Sequence, residues 1–210
     1  MKSPRYSFLL VSLLLMIVVY PFLETQGRRQ LLFSMFFTFI LLNVVYTLAR
    51  RSRTFYAVAG LTVVTLIIDW AGESMNLPDE PLLRVAVSFV LLIFVEIVIL
   101  RDVLRAEKVT AEKVFGGVCV YLILGIQCAI LYAALGNQTA DAFNVPLEQQ
   151  GPMSQMLYFS FVTMTTLGYG DISALSRPAR VLASLQALLG QLYLTVLVAR
   201  LVVLQITHEK

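Results

Sequence analysis

Uncharged apolar runs recur along the chain at Ser7 to Leu23, Leu31 to Ala49, Thr54 to Ile68, Leu82 to Leu100, Val114 to Leu135 and Val181 to Ile206. Their lengths approach the ~20 residues an α-helix needs to cross a bilayer. The pattern therefore predicts six transmembrane helices. A seventh apolar stretch, Met153 to Leu167, is too short to cross and lies between the last two spans. A segment of that kind persists in hydrocarbon only if its backbone is packed in protein or lines water, so it reads as re-entrant. The expected fold class is an all-α membrane protein: six transmembrane helices with a re-entrant helix between the last two.

The polar intervals set the expected orientation. Lys2 and Arg5 precede the first run, Arg50, Arg51 and Arg53 follow the second, and Arg101, Arg105, Lys108 and Lys113 follow the fourth. Asp69 to Pro81 and Leu135 to Ser176 carry neither Lys nor Arg. Basic residues collect in cytoplasmic loops, so both termini are expected in the cytoplasm and the re-entrant segment outside. Arg28 and Arg29 point the other way and are outvoted. A cleaved signal peptide is the competing account of Met1 to Gly27, but its apolar run is long and Glu24-Thr25-Gln26-Gly27 is a poor small-residue cleavage site. Arg101 to Lys113 is charged, free of Gly and Pro and helix-favouring, and predicts an interfacial helix joining spans four and five.

Composition narrows the function classes. The 210 residues are 59% hydrophobic and 14% charged, against about 45–50% and about 25% for an ordinary soluble domain. A water-soluble globule is excluded, and loops and tails leave no room for a soluble catalytic domain of usual size. A net charge of +3, scattered over the loops, gives no footprint for nucleic acid. Cys119 and Cys128 lie nine residues apart in one apolar run, too far apart along a helix to pair. The single histidine, His208, sits in the C-terminal tail, so no Cys/His metal cluster forms and no cofactor is expected. No nucleophile, base and orienting group occur together, which disfavours an enzyme.

Chemistry concentrates after the short stretch, in Thr163-Met164-Thr165-Thr166-Leu167-Gly168-Tyr169-Gly170-Asp171. This run resembles the pore loop of the potassium channel family, whose filter reads Thr-Val/Ile-Gly-Tyr/Phe-Gly followed by Asp. A physical argument stands beside the resemblance. A potassium ion sheds most of its water in a narrow pore, and rings of backbone carbonyls replace that water without the deep trap of a fixed charge. Aiming successive carbonyls at one axis needs backbone angles that alternate with left-handed values, which Gly168 and Gly170 adopt at no steric penalty. Carbonyls of Thr166, Leu167, Gly168 and Tyr169 would form the stacked potassium sites, and the Thr166 hydroxyl would add an oxygen at the inner mouth. One chain carries one copy of the motif, so closing the rings requires a homotetramer around a fourfold axis.

Around the filter, the short helix is expected to start near Gly151-Pro152-Met153-Ser154 and end near Thr165, its partly negative end facing the cavity. Tyr169 is expected to turn away from the axis and pack on that helix. Asp171, Asp141 and Glu148 make the outer mouth electronegative. Gly190 lies twenty residues after Gly170, where family members often place a hinge glycine; a small residue easing helix contact is the equal alternative. Gln191, Thr195, Val198 and Val202 follow at helical spacing as candidate cavity-lining residues, with hydrogen bonding of Gln191 to a neighbouring helix as the other option.

The resemblance covers Val114 to Ile206 and implies a pore domain over 114–210, while the apolar runs and basic loops give a four-helix domain over 1–100 and a cytoplasmic linker over 101–113. Two departures stand out: Leu167 replaces the usual Val or Ile, and Tyr158 and Phe159 stand where many members have paired tryptophans, implying a smaller cuff around Tyr169. The plan also resembles that of voltage-gated members, yet span four carries only Arg84 and Glu96, too few charges for a steep sensor. Asp69 and Glu96 read as snorkelling or paired span-end groups, and Asn43 and Gln127 as bonding between helices. The chain ends at Lys210, so a regulatory domain after span six is not expected. Asn137-Gln138-Thr139 is a glycosylation acceptor pattern expected on an outer loop. The reading is a potassium channel in a plasma or bacterial inner membrane, its partners being copies of itself, lipid and K+. The alternatives are a poorly selective monovalent cation channel, a potassium transporter subunit, and a non-conducting assembly subunit.

Overall fold

The computed structural model describes residues 5–23, 29–48, 56, 58–67, 81–105, 109–139, 141–145 and 152–208. Lys2, Arg28, Arg50, Arg51, Arg53, Asp69, Lys108, Glu148 and Gly151, which entered the loop and mouth expectations, lie outside the described residues. Helices account for nearly all of the rest: α1 (Arg5–Leu23), α2 (Arg29–Leu48), α3 (Val58–Ile67), α4 (Pro81–Leu104), α5 (Ala111–Gln138), α6 (Pro152–Met164) and α7 (Arg177–His208). Each predicted apolar run has its helix. Among the described residues, three helices are long and apolar enough to cross a membrane: Arg5–Leu23, Ala111–Gln138 and the Arg177–Leu204 part of α7. Shorter apolar helices run over Leu32–Thr47 and Val58–Ile67.

The chain divides into two compact units, Met1–Ala106 with Thr110–Val120, and Glu107–Val109 with Tyr121–Lys210. In the first, α1 and α2 pack antiparallel. Leu9, Leu13, Met16 and Tyr20 make a buried stripe at helical spacing on α1, met by Phe37, Leu41 and Val44 of α2. Tyr20 stands edge-on to Phe33 at 5.9 Å, and Thr47 at the other end donates to the Arg5 carbonyl at 3.4 Å. Phe8, Val11, Leu15 and Val18 on the opposite face are exposed, the pattern of a helix meant for an apolar surround.

Among the described residues, the expected linker helix over Arg101–Lys113 is not a separate element: Arg101–Leu104 continue α4, Ala111–Lys113 open α5, and 106–108 lie outside the described residues. Local bonds explain the division. Val103 is buried, and its side chain lies 3.0 Å from where a Cβ on Gly116 would be, while Lys113 pairs with Asp102. Glu112 then holds the start of α1: one carboxylate oxygen accepts the Tyr6 backbone N–H at 2.8 Å and the other accepts the Ser7 hydroxyl. Those donors lie in a first helical turn, where N–H groups have no intrahelical partner. The Tyr6 phenol donates to Asp102 at 2.7 Å. Asn43, expected to bond between helices, donates within its own helix to the Phe39 carbonyl at 2.9 Å among the described residues.

The second unit carries a short helix between two long ones. The 13 residues of α6 rise about 20 Å, short of a hydrocarbon core of about 30 Å. Its last residue, Met164, lies against Gly125 and Gly190, midway along α5 and α7. The chain then comes back: Phe143 and Ala174 form an antiparallel bridge, and the Leu175 N–H donates to the Ala142 carbonyl at 2.8 Å. Helix α7 starts with Ser176 as its cap, the hydroxyl accepting the Ala179 N–H at 3.3 Å.

Candidate ion-conduction site

Helix α6 opens with Pro152, whose missing N–H is harmless in a first turn, and closes in a Schellman arrangement. The Thr166 N–H bonds the Thr163 carbonyl at 3.1 Å and the Leu167 N–H bonds the Val162 carbonyl at 3.0 Å. The residue at the left-handed position of that motif, normally glycine, is Thr166, with φ of 61°. A β-branched residue there is strained by about 1–3 kcal/mol. The carbonyls of Phe161, Val162 and Thr163 are thus taken by the chain itself, and that of Met164 accepts the Tyr121 phenol at 3.4 Å.

Left-handed angles recur at every second residue: Thr166 at 61°, Gly168 at 57° and Gly170 at 81°, with Leu167 and Tyr169 between them on the ordinary side. The glycines were expected to be left-handed; Thr166 was not, and the motif has no glycine there to signal it. A Cβ on Gly168 or Gly170 would meet nothing within 4 Å. What the two positions demand is therefore the backbone angle, not space.

Thr166, Leu167, Gly168, Tyr169, Gly170 and Asp171 form one exposed run in the subunit. Tyr169 is 67% exposed in the subunit, and its phenol lies near enough to that of Tyr158 on α6 to interact electrostatically. Of the two aromatics in the tryptophan positions, Phe159 joins the core, edge-on to Tyr132 at 4.9 Å and to Phe143 at 5.3 Å. Tyr158 instead reaches the filter exit, its phenol donating to an Asp171 carboxylate oxygen at 2.8 Å. That bond holds the Asp171 carboxyl below the usual carboxylate range. Asn144 fixes the same segment from the loop after α5. Its side chain donates to the Asp171 carbonyl at 2.9 Å and accepts the Ser173 N–H at 2.8 Å. Asp141 is exposed at the start of that loop. Asn137 of the glycosylation pattern is exposed but belongs to the last turn of α5, with only Thr139 beyond the helix.

On α7, Gly190 is buried where a Cβ would lie 2.6 Å from Met164 Cγ and 3.0 Å from the Met164 carbonyl oxygen. Of the two readings of this glycine, close helix contact is the one with a visible partner. Gln191, Thr195, Val198 and Val202 are exposed in the subunit, and the Thr195 hydroxyl donates to the Gln191 carbonyl at 2.8 Å within the helix. Gln186 drew no attention in the sequence, yet it is buried and fully bonded. Its Nε2 donates to Ser160 Oγ at 2.6 Å and to the Ser160 carbonyl at 3.2 Å, and its Oε1 accepts the Tyr132 phenol at 2.6 Å. The signal was available: an amide inside an apolar span needs a partner, an argument applied to Gln191 but not to Gln186.

Residues 119–205, about two-fifths of the chain, match a protein family described as Ion channel. The match spans most of α5, all of α6, the filter-like run and nearly all of α7. Together with the long apolar helices, it supports a membrane ion channel. No curated protein and no solved structure matches the chain.

Proposed function

We propose that this protein is a potassium-selective channel that conducts K+ passively through a homotetrameric pore. The observation that carries the reading is the alternation of left-handed angles at Thr166, Gly168 and Gly170 directly after a helix too short to cross. Peptide units that alternate in this way present their carbonyls to one side. Four such strands around an axis supply the oxygen rings that replace a hydration shell. Thr166, Leu167, Gly168, Tyr169 and Gly170 form the filter, Asp171 its outer mouth, and Gln191, Thr195 and Val198 the cavity below. K+ is the permeant ligand, and no cofactor takes part.

Tetramer formation has an independent support. Only 17% of the apolar window of α7 is buried within the subunit, against 56% for α5, and Leu185, Leu188, Leu192 and Val196 are exposed. Copies of the chain packed around the pore axis would cover such a surface, as would lipid outside it. Both termini face the cytoplasm in this reading. Span four lacks a ladder of arginines, so opening is not steeply voltage-dependent.

Reconstitution into liposomes with a potassium gradient tests the proposal. Wild type should pass K+ well above Na+, and Gly168→Ala should abolish flux with tetramers intact. A monomeric chain, or flux unaffected by Gly168→Ala, would refute it. A poorly selective monovalent cation channel is the second reading, favoured by Tyr158 and Phe159 in place of the larger tryptophans and by the 67% exposure of Tyr169 in the subunit. Reversal potentials in mixed K+ and Na+ separate the two.

A further inference from the structure

The geometry points to Gln186 as a positioning residue for ion selectivity, holding the inner end of the filter through Ser160 and Met164. The inference rests on the filter reading above and adds to it a determinant outside the filter. Two contacts, one helical turn apart, join α6 and α7. Gln186 meets Ser160, and four residues on, Gly190 meets Met164. The equal spacing on both helices means that they run side by side in the same direction, so the two contacts act as one registration device. The upper contact is polar and directional; the lower is a close steric fit.

The polar contact extends to a third helix. Tyr132 of α5 donates to Gln186, Gln186 donates to Ser160, and the Ser160 hydroxyl donates to the Gly125 carbonyl of α5 at 2.6 Å. Gln186 thereby uses both amide hydrogens and its oxygen, and it is 1% exposed. A buried amide with every partner in place fixes a single arrangement, because a shifted helix would strand polar groups away from water. The consequence reaches the pore quickly. Met164 ends α6, and two residues later Thr166 holds its strained angle. The distance of the Thr166 carbonyl and hydroxyl from the pore axis is therefore set by how α6 is registered against α7. Ions that differ in radius by a fraction of an ångström are separated by such a distance.

The test uses the full chain in liposomes and reads the K+ to Na+ permeability ratio from reversal potentials, with tetramer content measured on the same samples. Gln186→Leu fills the same space without polar atoms and should lower the ratio at least tenfold in intact tetramers. Ser160→Ala keeps the Ser160 carbonyl contact and should give a smaller loss. The double variant should be no worse than Gln186→Leu, since both act through one network. A residue with a merely structural role would reduce the yield of tetramers and leave the ratio alone. A ratio within twofold of wild type in tetrameric Gln186→Leu overturns the inference; if that variant does not assemble, an unchanged ratio in Ser160→Ala does the same. Wild-type vesicles that conduct without K+ preference would instead overturn the potassium-selective reading, and this inference with it.

Discussion

The Tyr158 phenol and the Asp171 carboxylate are joined by a 2.8 Å hydrogen bond across the filter-like run, tying helix α6 to the chain that leaves it. Residue 158 is where the resemblance placed a tryptophan, and tyrosine keeps a donor there while changing its reach.

This bond predicts a pH dependence. Its donation lowers the Asp171 pKa, so the stabilisation is present above the ordinary aspartate value of about 3.9 and is lost as pH falls through the lowered value. Conductance measured against external pH should hold into the acid range. In Tyr158→Phe the fall should begin at higher pH. Identical profiles for the two proteins would remove Tyr158 from this role.

Thr166→Gly relieves a left-handed angle at a β-branched residue, which should stabilise each subunit by about 1 kcal/mol. The same change deletes the hydroxyl at the inner mouth. Thermal denaturation of the tetramer should move up while the K+ to Na+ permeability ratio moves down. A variant that is both less stable and equally selective would contradict the strain argument.

Gly190→Ala places a Cβ 2.6 Å from Met164 Cγ and 3.0 Å from a carbonyl oxygen. Overpacking of this kind costs about 1–3 kcal/mol. The Met164→Ala background should restore part of the loss, since it removes the Cγ and leaves the oxygen. A hinge would behave differently: altered opening at unchanged stability, with no rescue from residue 164.

In the first unit, Glu112→Ala deprives Tyr6 and Ser7 of their acceptor at the start of α1 and should cost about 1–2 kcal/mol. Hydrogen exchange at the Tyr6 amide should accelerate while amides near Met16 stay protected. Uniform acceleration along α1 would show that the helix is held elsewhere.

Among the described residues, each helix was legible in the sequence to within a few residues, because apolar length is a one-dimensional signal. One start signal was legible too, Pro152 in a first turn that lacks donors, whereas the Ser176 cap, five residues ahead of the apolar run from Val181, was not read. Gly168 and Gly170 declared their angles, since glycine adopts left-handed values without penalty. Thr166 did not, because its strain is imposed by the Schellman close of α6, and that depends on where the helix stops. Partners were the least readable. Gln186 and Ser160 are 26 positions apart, and Tyr6 and Glu112 are 106 apart; only the folded chain brings them together. The fate of Phe159 was hidden for the same reason, since neither Tyr132 nor Phe143 is a sequence neighbour.

Asn144 grips the exit of the filter-like run from the side, bonding at once to Asp171 and to Ser173. A stitch of that kind makes the loop beyond α5 a lever: whatever tugs on it shifts the backbone at Asp171 and Ser173 in the same stroke.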